Sequence, residues 1–104
     1  MIGLVTEDAT FLVLHAGSDR GYRIARGLLQ AGCRVAVTGR CVTDLARILP
    51  GYPAGQVLAI AASQSQLPRV ISRVQARWGA IDVIIDADTG AEHGGRDSTP
   101  LEAA

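Results

Sequence analysis

The sequence contains no lysine and no asparagine, so all ten of its basic residues are arginine. Lysine-dependent chemistry is therefore excluded within these residues, including Walker-type phosphate gripping and Schiff-base formation. A charge excess is also missing, because ten acidic residues cancel the ten arginines. Without a global field, neither nucleic acid nor an anionic membrane is expected as a partner. No apolar run approaches the roughly 18 to 20 residues of a membrane span. The first eight residues, Met-Ile-Gly-Leu-Val-Thr-Glu-Asp, lack the basic start of a secretory signal, and the expected location is cytoplasmic. Cys33 and Cys41 are too few for a disulfide framework and have no partners at zinc spacing, so no metal site is expected.

What is present is enough for one folded domain: 104 residues, 48% of them hydrophobic. Thr10-Phe-Leu-Val-Leu-His15 is a near-continuous apolar run, as in a strand covered on both faces. From Gly21 to Ala31 the apolar positions Ile24, Leu28 and Ala31 share one helical face, and Gly32 stands where a C-terminal cap belongs. Arg34-Val-Ala-Val-Thr38 reads as a second strand, residues 42–49 as a short helix, residues 50–55 as a turn-rich connection and residues 57–61 as a third strand. Leu67, Val70, Ile71, Val74 and Trp78 recur at the offsets of a single buried helical stripe, with Pro68 in its first turn. Gly79 ends that helix and Ile81-Asp-Val-Ile-Ile-Asp86 supplies a fourth strand.

This alternation predicts an α/β fold: a half-size Rossmann-like, three-layer module over residues 1–90. Its four-stranded parallel sheet has the expected order 3-2-1-4 and three helices. Residues 91–104 are small, polar and without periodicity, and a disordered tail is expected there.

Two stretches carry a more specific resemblance. Residues 24–40, Ile-Ala-Arg-Gly-Leu-Leu-Gln-Ala-Gly-Cys-Arg-Val-Ala-Val-Thr-Gly-Arg, and residues 77–85, Arg-Trp-Gly-Ala-Ile-Asp-Val-Ile-Ile, resemble the first helix, second strand and fourth-strand approach of the short-chain dehydrogenases/reductases. The likeness spans about residues 10 to 90, the amino-terminal half of that family's domain. It implies a nicotinamide-dinucleotide site at the turn after the first strand, where glycines let backbone approach a pyrophosphate.

Several motifs depart from the family pattern. Leu14-His-Ala-Gly-Ser-Asp-Arg-Gly21 stands against Thr-Gly-x-x-x-Gly-x-Gly, and only Gly21 keeps its place. His15 brings a side chain to a glycine position. Asp19 would repel a phosphate oxygen about 4 Å away by roughly 4 kcal/mol at an effective dielectric near 20. The competing reading of Ser18-Asp19 is a helix cap. Asp86-Ala-Asp-Thr89 replaces Asn-Asn-Ala-Gly, and no acid follows the third strand. The resemblance places an NADP 2′-phosphate contact at Arg40, and the other reading of Arg40 is a solvated loop residue. The cofactor-binding residues expected on this basis are Gly17, Ser18, Arg20, Gly21 and Arg40, with NADP as a weakly held cofactor. Arg69, Arg73 and Arg77 line one face of the third helix and are read as solvated.

The family's chemistry rests on a Ser and a Tyr-x-x-x-Lys, which the resemblance places in the second half of its domain. Here neither Tyr22 nor Tyr52 has a basic residue four positions on, so no catalytic residue is assigned. The expected function is a truncated, non-catalytic Rossmann module acting by weak NADP(H) binding or protein interaction. The alternative is an NADP-dependent oxidoreductase completed by another chain that supplies Ser and Tyr-x-x-x-Lys. A fourth strand at the sheet edge predicts self-association or a partner strand at Ile81 to Asp86.

Overall fold

A computed structural model describes residues 9–89 and 92–94. In β1 (Thr10–Leu14), side-chain alternation sends Phe11 and Val13 into one apolar cluster and Leu12 and Leu14 into another. Leu12 and Val13 are both fully buried, which fits a strand without polar breaks. The strand is covered on both faces, as its composition predicts.

The chain then turns into α1 (Asp19–Gln30), which begins on Ser18 in extended backbone conformation. Its end is fixed by Gly32 at φ 93°. The Gly32 amide donates to the Leu29 carbonyl at 3.0 Å and the Cys33 amide to that of Leu28 at 3.1 Å, which satisfies carbonyls that the helix leaves open. The buried stripe is Gly21, Ala25 and Leu29, flanked by half-buried Ile24 and Leu28, whereas Ala31 is exposed. The predicted stripe of Ile24, Leu28 and Ala31 is therefore displaced by one position. Small side chains at Gly21 and Ala25 let the helix sit close to the sheet, and the larger residues wedge beside it.

The second strand, β2 (Arg34–Gly39), leads into the single-turn helix α2 (Val42–Ala46), shorter than predicted, with Leu45 and Ile48 fully buried beneath it. β3 (Val57–Ala61) follows, then a 3₁₀ turn (Gln64–Gln66) and α3 (Leu67–Trp78). Pro68 sits in the first turn of α3, Val70 and Val74 are buried, and Gly79 at φ 88° stops it. Arg69, Arg73 and Arg77 are exposed. β4 (Val83–Asp86) completes the parallel part of the sheet.

The sheet order is β3-β2-β1-β4-β5, and the first four strands are parallel in the expected order 3-2-1-4. Residues of α1 and α2 pack in one core cluster, with Val13, Val35 and Val37. Those of α3 pack in the other, with Leu12, Ala36 and Ile60. The molecule is thus doubly wound, with the winding reversing between β1 and β4.

Two expectations change at the far edge. The tail predicted from residue 91 contains β5 (Glu92–Gly94), which pairs antiparallel with Val83, Ile84 and Ile85. The rest of that segment lies outside the described residues. The open edge predicted at Ile81 to Asp86 is consequently occupied, over Val83 to Ile85, by the chain's own strand, since free ladder groups are satisfied most readily by a nearby segment. None of the described helices is long and apolar enough to cross a membrane.

Candidate functional site

Parallel strands that end together leave a depression at their carboxyl ends, and ligands of open α/β sheets bind there. In this chain the depression is a cleft of about 550 Å³. Leu14, His15, Gly17 and Ser18 line it after β1, and Thr38, Gly39 and Arg40 at the end of β2. Ala62, Ser63, Gln64 and Ser65 close it after β3, with Leu67 and Val70 of α3 behind.

Local sequence sets each wall. The Ala16 amide donates to the Thr38 carbonyl at 2.9 Å, which ties the β1 turn to β2. Gly39 packs closely between neighbours, since a Cβ there would lie 3.3 Å from Leu45 Cδ2, which would have to shift slightly, and at an ordinary 3.5 Å from the Gly17 nitrogen. Thr38 is buried and its hydroxyl donates to the Ile60 carbonyl at 2.8 Å. The third wall is stiffened at Ser63, whose amide donates to Gln66 Oε1 at 2.8 Å as one arm of a capping box.

Three of the five predicted site residues, Gly17, Ser18 and Arg40, are brought together in this cleft. Arg40 is exposed and, among the described residues, has no ion-pair partner. Among the described residues, no carboxylate lines the cleft. Its cation is therefore open to an anionic group. The other two predicted residues lie elsewhere. Arg20 is exposed on the first turn of α1, outside the lining. Gly21 is structural, because a Cβ on it would fall 2.5 Å from the Ala16 Cα, and its amide is taken by Ser18 Oγ at 3.0 Å. The cap reading of Ser18 is thus the observed one.

Asp19 is paired outside the cleft. Its carboxylate accepts from Arg47 Nη2 at 3.0 Å, its side chain is 83% exposed, and it is not part of the lining. Another acid, Asp44 on the first turn of α2, approaches Gly17. Its Cβ lies 3.1 Å from where a side chain on Gly17 would start.

A second arrangement was not read from the sequence. His15 adopts φ 57°, the left-handed conformation that a glycine would take without strain. Its ring turns to β4 and places Nδ1 2.8 Å from Asp86 Oδ1. Leu14 and Asp86 are register partners, so this contact crosses between β1 and β4 where the winding reverses. Burial pushes the Asp86 carboxyl up. The hydrogen bond from His15 and those from the Asp88 and Thr89 amides outweigh it and hold the group below its ordinary value. Their positions at the ends of neighbouring parallel strands were the available signal.

The cysteines differ in setting. Burial raises the Cys33 thiol, whereas exposed Cys41 is lowered by the Thr43 hydroxyl 2.9 Å away and by the first amides of α2.

No protein-family profile and no curated protein sequence matches this chain. Solved structures do. A short-chain dehydrogenase from Streptomyces avermitilis is 28% identical, with a TM-score of 0.68 over 79% of this chain and 30% of its own. A short-chain type dehydrogenase/reductase from Mycobacterium ulcerans is 26% identical, with a TM-score of 0.70 over 80% and 33%. A 3-ketoacyl-(acyl-carrier-protein) reductase from Brucella melitensis, complexed with NADH, is 21% identical with a TM-score of 0.68 over 76% and 34%. The chain spans about a third of the length of each. The resemblance read from the first helix and the fourth-strand approach is therefore shown in three dimensions: this chain builds the amino-terminal Rossmann half of the short-chain dehydrogenase/reductase fold.

Proposed function

We propose that this chain is a short-chain dehydrogenase/reductase-like module that binds NADP(H) weakly in the cleft at the ends of β1, β2 and β3, and whose own residues perform no reduction. The observation that carries the proposal is Arg40, a cation that among the described residues has no ion-pair partner and faces a cleft lined by no carboxylate. An arginine at this position suits the 2′-phosphate of NADP, whereas NAD-selective sites favour an acid for the ribose hydroxyls. The bound NADH of the Brucella melitensis reductase supports a nicotinamide nucleotide as the ligand class. Weakness follows from the turn, where Ser18 already occupies the Gly21 amide and Asp44 stands beside Gly17. The residues contain no lysine to lower a tyrosine pKa, so they lack the family's proton donor.

A second proposal is an oxidoreductase whose Ser and Tyr-x-x-x-Lys come from another polypeptide. The intact winding up to β4 favours it, because that scaffold is the part to which such residues would be joined.

Calorimetric titration of the chain with NADPH and with NADH tests the first proposal. The expected result is a dissociation constant for NADPH in the range of tens to hundreds of micromolar and at least about tenfold weaker binding of NADH, the worth of one charge-assisted phosphate contact. Silence at millimolar NADPH would refute it.

A further inference from the structure

Net neutrality conceals an uneven placement of charge. Residues of α1 and α2 pack on one face of the sheet and those of α3 on the other. Asp19 and Asp44 belong to α1 and α2, whereas α3 carries Arg69, Arg73 and Arg77 and no acid. All three arginines are exposed, and among the described residues none has an ion-pair partner. Like charges four apart on a helix destabilise it, and a row of anions opposite them would remove that cost. Arg77 is held in place, its Nη2 donating to the Ala54 carbonyl at 2.8 Å just before β3. With Ala76 and with Leu58 of β3, Arg73 and Arg77 line a shallow depression of about 480 Å³. Beside it, β3 is the outer strand of the sheet and among the described residues pairs with β2 alone. The Val35 amide donates to the Gln56 carbonyl and the Ala62 amide to the Gly39 carbonyl. Since the direction of ladder groups alternates along a strand, those of Ala59 and Ala61 face outward. The strand, Val-Leu-Ala-Ile-Ala, holds neither a charge nor a proline to blunt this edge.

From this juxtaposition we infer that the β3 edge docks an extended, acidic segment of another protein, which adds a strand to the sheet and sets its carboxylates on the arginines of α3. Side chains on one face of a strand recur roughly every 6.7 Å, and residues four apart on a helix are separated by about 6 Å of rise. Acids at every second position of the segment therefore match the row from Arg69 to Arg77. The ladder groups supply affinity common to any strand, and the arginines select an acidic one. A second copy of this chain is disfavoured, because pairing two β3 edges in one continuous sheet would bring two arginine rows together. The surface is separate from the proposed nucleotide site, since none of Leu58, Arg73, Ala76 and Arg77 lines that cleft.

The test is fluorescence anisotropy of a short labelled peptide that alternates glutamate with threonine, titrated with the whole chain at one ionic strength. The expected result is saturable binding that weakens at least about tenfold when glutamine replaces every glutamate, and at least about tenfold when the backbone amides are N-methylated. Arg73→Glu, at an exposed position, should weaken the acidic peptide by at least about tenfold and leave the glutamine peptide unchanged. Equal binding of the N-methylated peptide, or tighter binding of inorganic polyphosphate than of the acidic peptide, would overturn the inference in favour of a surface that reads anionic charge alone. Concentration-dependent dimerisation that the peptide dissolves would assign the edge to a second copy instead. A glutamine peptide bound as tightly as the acidic one, an unchanged affinity in folded Arg73→Glu, or no saturation at millimolar chain would equally overturn it.

Discussion

At the scale of single residues, glycines and one histidine decide how close the backbone comes to itself and to a ligand. Gly21 is held against Ala16, with 2.5 Å from an added Cβ to the Ala16 Cα and 2.8 Å to its carbonyl carbon and oxygen. Backbone cannot yield there, so Gly21→Ala should cost about 1–3 kcal/mol, read as a lower urea midpoint. Gly27, on the same helix with nothing within 4 Å, is the control. There Gly27→Ala should raise stability by about 0.5–1 kcal/mol. Asp86 sets a pH dependence. Its folded pKa is lowered, so its contribution is present above the unfolded carboxylate value and is lost as pH falls through the folded one. His15 is 43% exposed and Asp86 22%, which keeps that contribution below about 1 kcal/mol. Urea midpoints followed from neutral to acidic pH should therefore fall more steeply for the unaltered chain than for Asp86→Asn. Parallel curves would show that the contact does not favour the charged form.

At the scale of elements, the loop between α2 and β3 is fastened to α1 rather than left free. Arg26 Nη1 donates to the Ile48 carbonyl at 3.1 Å and to that of Pro50 at 2.6 Å. Its guanidinium also lies 4.9 Å from the centre of the Tyr52 ring and 5.9 Å from that of Tyr22, while Arg47 covers Tyr22 at 4.8 Å. Gln56 adds a second clip, its Nε2 donating to the Leu29 and Cys33 carbonyls. Removing the first clip by Arg26→Ala should cost about 1–3 kcal/mol and speed amide exchange across residues 48–55. Arg26→Lys should not restore it, since an ammonium lacks the planar fork. This clip was not legible in the sequence. Its partners are more than twenty residues apart, and nothing in their spacing distinguishes them from solvated side chains. The elements themselves were legible, because burial on both faces demands runs such as Phe11 to Leu14 and a one-sided stripe demands the spacing seen from Leu67 to Trp78. The stripe of α1 was misplaced because glycine and alanine carry little apolar signal yet mark the closest approach to the sheet.

At the scale of the whole molecule, winding order brings distant residues to one end of the sheet and determines which of them can act together. Gly17, Ser18 and Arg40 meet in the cleft, as their places after β1 and β2 suggested, while Arg20 and Gly21 do not line it. Asp19, read from the sequence as facing a phosphate, is instead met by Arg47 from 28 residues away. The bridge between His15 and Asp86 spans 71 residues and depends on β4 returning beside β1. Strand β5 was missed for a related reason: three residues without alternation form a strand only when an edge is waiting for them. Trp78 sits eleven residues after Leu67, about 16 Å farther along α3 and away from the cleft, so it is poorly placed to report a ligand there.

The measurement that tests the central claim most directly is a map of amide chemical shifts during titration with NADPH. The cleft proposal predicts the largest changes at Gly17, Gly39, Arg40 and residues 63–65, with little change at Arg73 and Arg77 on the exposed face of α3. Changes confined to that arginine face, or none at millimolar NADPH, would contradict it.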